Sequence, residues 1–178
     1  PLRAGVGPLF GAGRGMNLVM IQVESLQGFV VGLRVGGREV TPFLNSMAAA
    51  DFWFDNVTDQ TEEGRSSDSE LATQVSLLPP DRGAAAFLHS GNDYTGLASI
   101  LADRGYSTIS AVPFEGAFWN RRITHRAYGY DRSLFVDDFG RGEAIGWGLN
   151  DRDFLSQAAG RLAELPEPWC AYLLTLSL

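Results

Sequence analysis

The order of apolar and polar positions divides the chain into strands and helices that follow one another. The run Asn17–Val23 is almost entirely apolar, as expected of a parallel strand that is covered on both faces. A second apolar strand is predicted over Trp169–Leu176, after Pro166 and Pro168, and a β-rich segment over Tyr106–Val112. Strands that alternate with helices predict an α/β fold with a mostly parallel sheet sandwiched by helices.

Four helices are predicted from apolar residues at helical spacing and from the polar residues that commonly begin a helix. In chain order, these helices begin near Thr41, Ser67, Thr95 and Asn150. Two shorter features complete the pattern. Val30–Val40 is predicted to form a hairpin around Gly36 and Gly37, because glycines suit the positive-φ positions of a two-residue turn. The apolar run Phe52–Val57 is predicted to be a strand.

The polar stretch Gly64–Glu70 lies between the predicted strand Phe52–Val57 and a helix. A hydroxyl at such a turn sits where free backbone N–H groups and the positive end of the helix dipole converge. That environment favours an incoming anion such as phosphate and the alkoxide form of the hydroxyl that attacks it. The residues alone leave a structural alternative open. Ser67 followed by Glu70 has the spacing of a capping box, which requires no chemistry.

Two further places carry chemically useful side chains. Glu24 follows the first predicted strand, at the sheet end where ligands of α/β proteins bind. It is a candidate metal ligand or base, or alternatively a helix cap or an arginine partner. Phe118–Arg122 is an aromatic–basic cluster on a predicted connection, which suits an anionic head group or simple packing. His89 and His125 are isolated in the sequence and are predicted to be surface or hydrogen-bonded residues.

Composition narrows the classes of function. The 14 basic residues, all arginine, are outnumbered by 21 acidic residues, and the net charge of −7 argues against a nucleic-acid surface. The single cysteine, Cys170, cannot form an internal disulfide and is predicted to be a small buried hydrophobe. No apolar run approaches the length of a membrane span. Residues 1–15 are rich in Gly, Pro and Arg without periodicity and are predicted to be a linker.

Five segments together resemble the extracellular catalytic domain of lipoteichoic acid synthases and related phosphoglycerol transferases, of the alkaline phosphatase/sulfatase superfamily. In order, these segments are Asn17–Ser25, Glu39–Pro42, Gly64–Glu70, Phe118–Arg121 and Gly148–Asp151. The resemblance runs from about Asn17 to the last residue with compatible spacing. It implies that residues 16–178 are the N-terminal portion of such a domain, incomplete at its C-terminal part, and that residues 1–15 lead from a preceding membrane region.

The resemblance also implies roles for particular residues. The family carries Gly-Lys-Thr-Ser-Asp-Ser-Glu at the strand-to-helix turn, where the threonine is the nucleophile and a ligand of a Mn²⁺ ion. Ser66 holds the place of that threonine and Arg65 that of the lysine. Glu24 matches a glutamate that is also a metal ligand, and Trp119 and Arg121 match residues that hold the glycerol-phosphate group.

This sequence departs from the family in two respects. The family has a His-Gly-Asp segment before its Phe-Trp-Asn-Arg motif, and its aspartate helps to bind substrate. Here the segment reads Val112–Phe114, and Glu115 is expected to substitute for that aspartate. The family's remaining metal ligands, an aspartate and a histidine, come from a later half of the domain. One Mn²⁺ or Mg²⁺ ion is therefore expected, with further ligands outside this chain.

The implied reaction transfers phosphoglycerol from an anionic, phosphatidylglycerol-like lipid to a glycan or polyol-phosphate acceptor through a covalent phospho-serine. It would take place at the outer face of the cytoplasmic membrane or in the periplasm, with the domain tethered by transmembrane helices that this sequence lacks. The piece is expected to be inactive alone.

Other functions remain open. The same superfamily includes phosphoethanolamine transferases, phosphodiesterases and sulfuric ester hydrolases, and the chain could instead be a non-catalytic, truncated relative. Sulfatases mature a residue within Cys/Ser-x-Pro-x-Arg, and Ser66–Glu70 lacks both the proline and the arginine.

Overall fold

The computed structural model describes residues 7–177, and its centre is a parallel sheet. The strands of the described residues are β1 (Leu18–Gln22), β2 (Arg34–Val35), β3 (Arg38–Glu39), β4 (Ser107–Ala111), β5 (Arg132–Leu134), β6 (Ala144–Ile145), β7 (Gly148–Leu149) and β8 (Trp169–Leu174). Four of them lie in the order β1-β8-β4-β5, and all three neighbouring pairs are parallel. Two small antiparallel hairpins, β2–β3 and β6–β7, stand apart from this sheet.

In the described part of the chain, six α-helices connect and cover these strands. They are α1 (Pro42–Ala50), α2 (Ser66–Val75), α3 (Ala85–Leu88), α4 (Leu97–Ala102), α5 (Arg121–Ala127) and α6 (Asp151–Leu162). Short 3₁₀ turns occupy Gly28–Val30, Phe118–Asn120 and Val136–Asp138. Within residues 7–177, no helix is long and apolar enough to cross a bilayer.

The core lies on both faces of the sheet because successive side chains of a buried strand point in opposite directions. In β8, Tyr172 and Leu174 pack into a cluster with α2, α3 and α4, whereas Ala171 and Leu173 pack into a cluster with α6. The predicted sandwich of helices around a mostly parallel sheet is therefore confirmed. Cys170 is fully buried, as predicted for a small hydrophobe.

Most of the predicted elements are present. Asn17–Val23 contains β1, Trp169–Leu176 contains β8, and the hairpin around Gly36 is β2–β3. The expectation that the first strand is covered on both faces is wrong within residues 7–177, because β1 is an end strand of the sheet and Val19 and Ile21 are 43% and 51% exposed. Pro42 is the first residue of α1. Asn150 caps α6, because its side-chain oxygen accepts a hydrogen bond from the backbone N–H of Asp153 at 2.9 Å.

Two other predicted features are wrong. Phe52–Val57 is irregular, and its backbone pairs with no strand in the described residues. The side chains of Phe52, Phe54 and Val57 are all more than three-quarters exposed, so the apolar run reflects no burial within residues 7–177. The cluster Phe118–Arg122 is not a plain connection, because it forms a 3₁₀ turn that leads into α5. Of the predicted linker, residues 7–15 form exposed turns and residues 1–6 lie outside the described chain, as does Leu178.

Candidate functional site

The hydroxyl of Ser66 and the carboxylate of Glu24 meet at the carboxyl end of the sheet. Glu24 lies two residues beyond β1, where its backbone N–H donates to Thr175 Oγ1 at 3.0 Å, just after β8. Ser66 is the first residue of α2, and its hydroxyl donates to Glu24 Oε2 at 2.7 Å. Residues 42 positions apart in the sequence are therefore in direct contact at a helix N-terminus. That location favours negative charge on the serine oxygen and on a bound group.

The loop before Ser66 is held by a buried carboxylate. Asp68 Oδ2 accepts hydrogen bonds from the backbone N–H groups of Gly64 at 2.9 Å and Glu62 at 3.0 Å. A Cβ atom on Gly64 would lie 2.1 Å from Asp68 Oδ1, so only glycine permits this approach. Arg65, the residue before Ser66, adopts φ 47° and ψ −118°, which is strained for a residue with a side chain.

The capping-box alternative for Ser67 and Glu70 is wrong. The helix begins one residue earlier, at Ser66, and the Ser67 hydroxyl donates to the carbonyl oxygen of Gly64 at 2.7 Å. The Glu70 carboxylate makes its contacts elsewhere. Its two oxygens face α5, where they bind Arg121 and His125.

Glu70, Arg121 and His125 form a buried ionic network beneath the site. Glu70 Oε1 accepts hydrogen bonds from Arg121 Nε at 2.9 Å and Nη2 at 2.7 Å, and Glu70 Oε2 lies 2.6 Å from His125 Nε2. His125 Nδ1 lies 2.9 Å from the Ser110 hydroxyl of β4. Each of the three side chains is 2% exposed or less. Burial alone would raise the pKa of the Glu70 carboxyl, but Arg121 and His125 together hold it below its ordinary value.

This network leaves one end of Arg121 free among the described residues. Nε and Nη2 are occupied by Glu70, whereas the buried Nη1 has no hydrogen-bond partner in residues 7–177. A buried, unpaired guanidinium nitrogen is costly unless a ligand accepts its hydrogen bonds. Arg121 lines the same cavity as Ser66, so its guanidinium is a candidate partner for an anionic group bound there.

Trp119 reaches the cavity through an unusual backbone. Trp119 and Asn120 both adopt left-handed conformations, with φ values of 55° and 51°. Each such residue costs on the order of 1 kcal/mol, and strain of this kind is concentrated at functional sites. The Asn120 side-chain amide donates to the carbonyl oxygen of Ala86 at 3.0 Å, which holds the turn against α3. Arg121 then begins α5.

Four of the five predicted site residues line one cavity of about 340 Å³. They are Glu24, Ser66, Trp119 and Arg121, and Arg65 lies beside them. Glu115 does not line this cavity. Its side chain is exposed, and its backbone oxygen accepts the N–H of Phe118 at 3.0 Å, so its role in binding substrate stays a prediction.

Sequence reasoning missed the roles of Glu70 and His125 and the apolar wall of the cavity. His125 is buried and hydrogen-bonded through both ring nitrogens, in agreement with the predicted hydrogen-bonded residue, and His89 is exposed. The position of His125 four residues after Arg121 on α5 is a signal that could have linked them. The wall includes Ile145, Trp147 and Leu176, of which the first two belong to the short hairpin β6–β7.

A divalent ion would find two oxygen ligands at this site. The Glu24 carboxylate and the Ser66 hydroxyl are donors that Mg²⁺ and Mn²⁺ prefer, and their 2.7 Å contact places both oxygens on one side of the cavity. Over the described part of the chain, no group of three or more His, Cys, Asp or Glu side chains could hold a metal ion. The two residues therefore fit part of a coordination sphere.

Comparisons with known proteins place the chain among related sequences and folds. The family described as "Sulfatase" matches residues 16–177. The chain is 36% identical over 170 residues to the lipoteichoic acid synthase-like protein YvgJ of Bacillus subtilis (strain 168), covering 94% of this chain and 28% of that protein. It thus spans about a quarter of the length of this curated relative.

Solved structures show the same fold. The lipoteichoic acid synthase LtaP from Listeria monocytogenes superimposes with a TM-score of 0.90 at 22% identity, over 94% of this chain and 42% of that one. A protein of the alkaline phosphatase superfamily from Vibrio parahaemolyticus superimposes with a TM-score of 0.77 at 24% identity, over 92% of this chain and 41% of that one. The predicted alkaline phosphatase/sulfatase-like fold is confirmed.

Proposed function

Because the chain belongs to the sulfatase family, we propose that it carries part of the active site of a phosphoglycerol transferase that uses Ser66 as its nucleophile. The observation that carries this proposal is the contact between the Ser66 hydroxyl and Glu24 Oε2, at a helix N-terminus that faces Trp119 and Arg121. The relatives named as lipoteichoic acid synthases support this kind of reaction. The donor would be an anionic, phosphatidylglycerol-like lipid and the acceptor a glycan or polyol phosphate.

The reaction would proceed by displacement at phosphorus. The Ser66 hydroxyl gives up its proton, which Glu24 Oε2 is within hydrogen-bond reach to accept, and the serine oxygen forms a bond to the donor's phosphorus. The bond between phosphorus and the diacylglycerol oxygen breaks at the same time, and that oxygen takes up the released proton as diacylglycerol leaves. An acceptor hydroxyl then displaces the phosphoglyceryl group, and its proton returns to the Ser66 oxygen. Arg121 Nη1 and the N–H groups at the start of α2 would stabilise negative charge on the non-bridging oxygens.

Glu24 and Ser66 would hold one Mn²⁺ or Mg²⁺ ion. When bound, such an ion lowers the pKa of a coordinated hydroxyl and so favours the alkoxide. Because catalytic metal sites commonly use three or more protein ligands, the 178-residue chain alone is expected to bind Mn²⁺ weakly and to turn over little lipid. Titration calorimetry of the chain with MnCl₂ tests this expectation. A sub-micromolar dissociation constant would contradict it.

A lipid donor also requires access to a membrane. We infer that the protein acts at the outer face of the cytoplasmic membrane or in the periplasm, where lipid donors and envelope acceptors are both available. Phosphoethanolamine transfer would use the same nucleophile and differs only in the donor's head group. No contact in the described cavity favours an ethanolamine head group, because the cavity's carboxylate, Glu24, already binds Ser66.

The role of Ser66 is tested by expressing the protein from its natural reading frame and assaying release of diacylglycerol from phosphatidylglycerol. Ser66→Ala should abolish turnover while leaving the far-ultraviolet circular dichroism spectrum unchanged. Ser46→Ala is the matched control, since Ser46 lies on α1 and its hydroxyl donates to the carbonyl oxygen of Phe43. Retained activity in the Ser66→Ala protein would refute the proposed function.

A further inference from the structure

The cavity is lined by both polar and apolar side chains. The Ser66 hydroxyl, Glu24 and Arg121, which the proposed reaction uses, are among the polar ones. Phe118, Leu176 and, on hairpin β6–β7, Ile145 and Trp147 contribute apolar surface. The cavity therefore offers apolar contacts beside the groups that would bind a phosphate.

The tip of hairpin β6–β7 is fixed in place although it is exposed. Gly146 adopts a φ of 64°, as a two-residue hairpin turn requires. Leu149 N–H donates to the carbonyl oxygen of Pro113 at 3.2 Å, and a Cβ atom on Gly148 would lie 2.1 Å from the same oxygen. The hairpin backbone is therefore packed closely onto the chain that leaves β4.

Trp147 stands at this tip with 68% of its surface exposed. Its ring lies 5.6 Å from the Phe118 ring, nearly perpendicular to it, and Phe118 lies 5.6 Å from Trp119. Phe87 continues the line at 5.3 Å from Trp119. Of these four aromatic rings, those of Phe118, Trp119 and Trp147 line the cavity. Apolar surface held in a fixed position and left open to solvent marks a place where another apolar group binds.

We propose that Trp147 is a specificity-determining residue that contacts the acyl chains of a glycerophospholipid whose phosphate is bound in the cavity near Ser66 and Arg121. This inference rests on the proposed function. A cavity of about 340 Å³ accommodates a head group and its glycerol but not two acyl chains. The chains must therefore leave across the rim, where Trp147 and Ile145 present apolar surface.

The test uses two ligands that differ only in their acyl chains. Dihexanoyl phosphatidylglycerol, kept below its micelle concentration, and the deacylated glycerophosphoglycerol are each titrated into the protein expressed from its natural reading frame, with MgCl₂, and followed by nuclear magnetic resonance. The acylated ligand should bind about tenfold more tightly, an effect comparable to burying two methylene groups. In Trp147→Ala that preference should disappear, while the affinity for glycerophosphoglycerol stays the same.

Trp53→Ala is the matched control, because Trp53 is also exposed and lies outside the cavity. It should keep the full preference for the acylated ligand. If the wild-type chain binds both ligands equally, or if Trp147→Ala keeps the preference, the inference is overturned and the proposed function stands. If neither ligand binds the wild-type chain, the proposed function fails as well. A loss of binding to a neutral oligosaccharide in Trp147→Ala would identify the rim as a glycan site and overturn the inference.

Discussion

Replacing Glu70 with glutamine tests whether the buried network holds Arg121 in place. The amide keeps the shape of the carboxylate and one hydrogen-bond acceptor, but it leaves the guanidinium charge of Arg121 buried without compensation. Breaking a buried ion pair by removing one partner costs about 3–5 kcal/mol. Because glutamine still accepts one hydrogen bond, we expect a loss of about 3 kcal/mol in the free energy of unfolding at pH 7.

The assay is urea unfolding followed by circular dichroism, with the slope of the transition compared between variants. Glu39→Gln is the matched control, because Glu39 pairs with Arg34 at 2.9 Å on the surface. Exposed pairs contribute about 0–1 kcal/mol, so this variant should unfold almost like the wild type. Equal costs for the two substitutions would refute the idea that burial gives the Glu70 network its strength.

The difference in unfolding free energy between wild type and Glu70→Gln should change with pH in one direction. The pKa of Glu70 is lowered in the folded state, so its contribution to stability is fully present above its ordinary value of 4.5. That contribution is lost as the pH falls through the lower, folded pKa. The difference between wild type and Glu70→Gln should therefore shrink in acid. A difference that stays constant from pH 7 down to pH 3 would contradict the charge pairing.

Two further substitutions test the loop and the core. Gly64→Ala should cost about 1–3 kcal/mol of unfolding free energy, because its Cβ would displace Asp68 and break the loop that precedes Ser66; Gly160→Ala, whose Cβ meets nothing within 4 Å, should instead be neutral or stabilising. Burial raises the pKa of the Cys170 thiol to about 11, whereas the ordinary value is about 9. The free energy of unfolding, measured in urea, should therefore fall as the pH rises above about 9, because the thiol then ionises more readily in the unfolded state. In Cys170→Ala this decline should be shallower.

The sheet could be predicted from the sequence because two of its strands lie in nearly continuous apolar runs, Asn17–Val23 and Trp169–Leu176. Burial on both faces explains the run of the central strand β8, but β1 lies at the end of the sheet in the described residues, where Val19 and Ile21 are 43% and 51% exposed. Phe52–Val57 is also rich in apolar residues, but its side chains are exposed and its backbone has no partner strand in residues 7–177. The composition of a segment shows that it tends to be buried, but it does not show which neighbouring element covers it.

The contact between Ser66 and Glu24 at the end of the sheet was predictable, because the motif places both residues there. The buried network of Glu70, Arg121 and His125 beneath the site was not predictable. Glu70 and Arg121 are 51 positions apart, and their side chains meet only because the fold brings α2 and the start of α5 to the same place. Ser67 and Glu70 have the spacing of a capping box, but Glu70 instead pairs with Arg121, which is far away in the sequence. The spacing of neighbouring residues cannot show that a distant partner binds Glu70 in place of the helix start.

The most direct measurement asks whether phosphoglycerol becomes attached to Ser66. The protein, expressed from its natural reading frame, is incubated with phosphatidylglycerol and MnCl₂, quenched in acid and digested for peptide mass spectrometry. The account predicts a phosphoglyceryl group on the peptide that contains Ser66, and its absence from the Ser66→Ala protein. Two results would contradict the assignment of Ser66 as the nucleophile. One is turnover of the lipid with the phosphoglyceryl group on another residue. The other is a Ser66→Ala protein that still turns over the lipid.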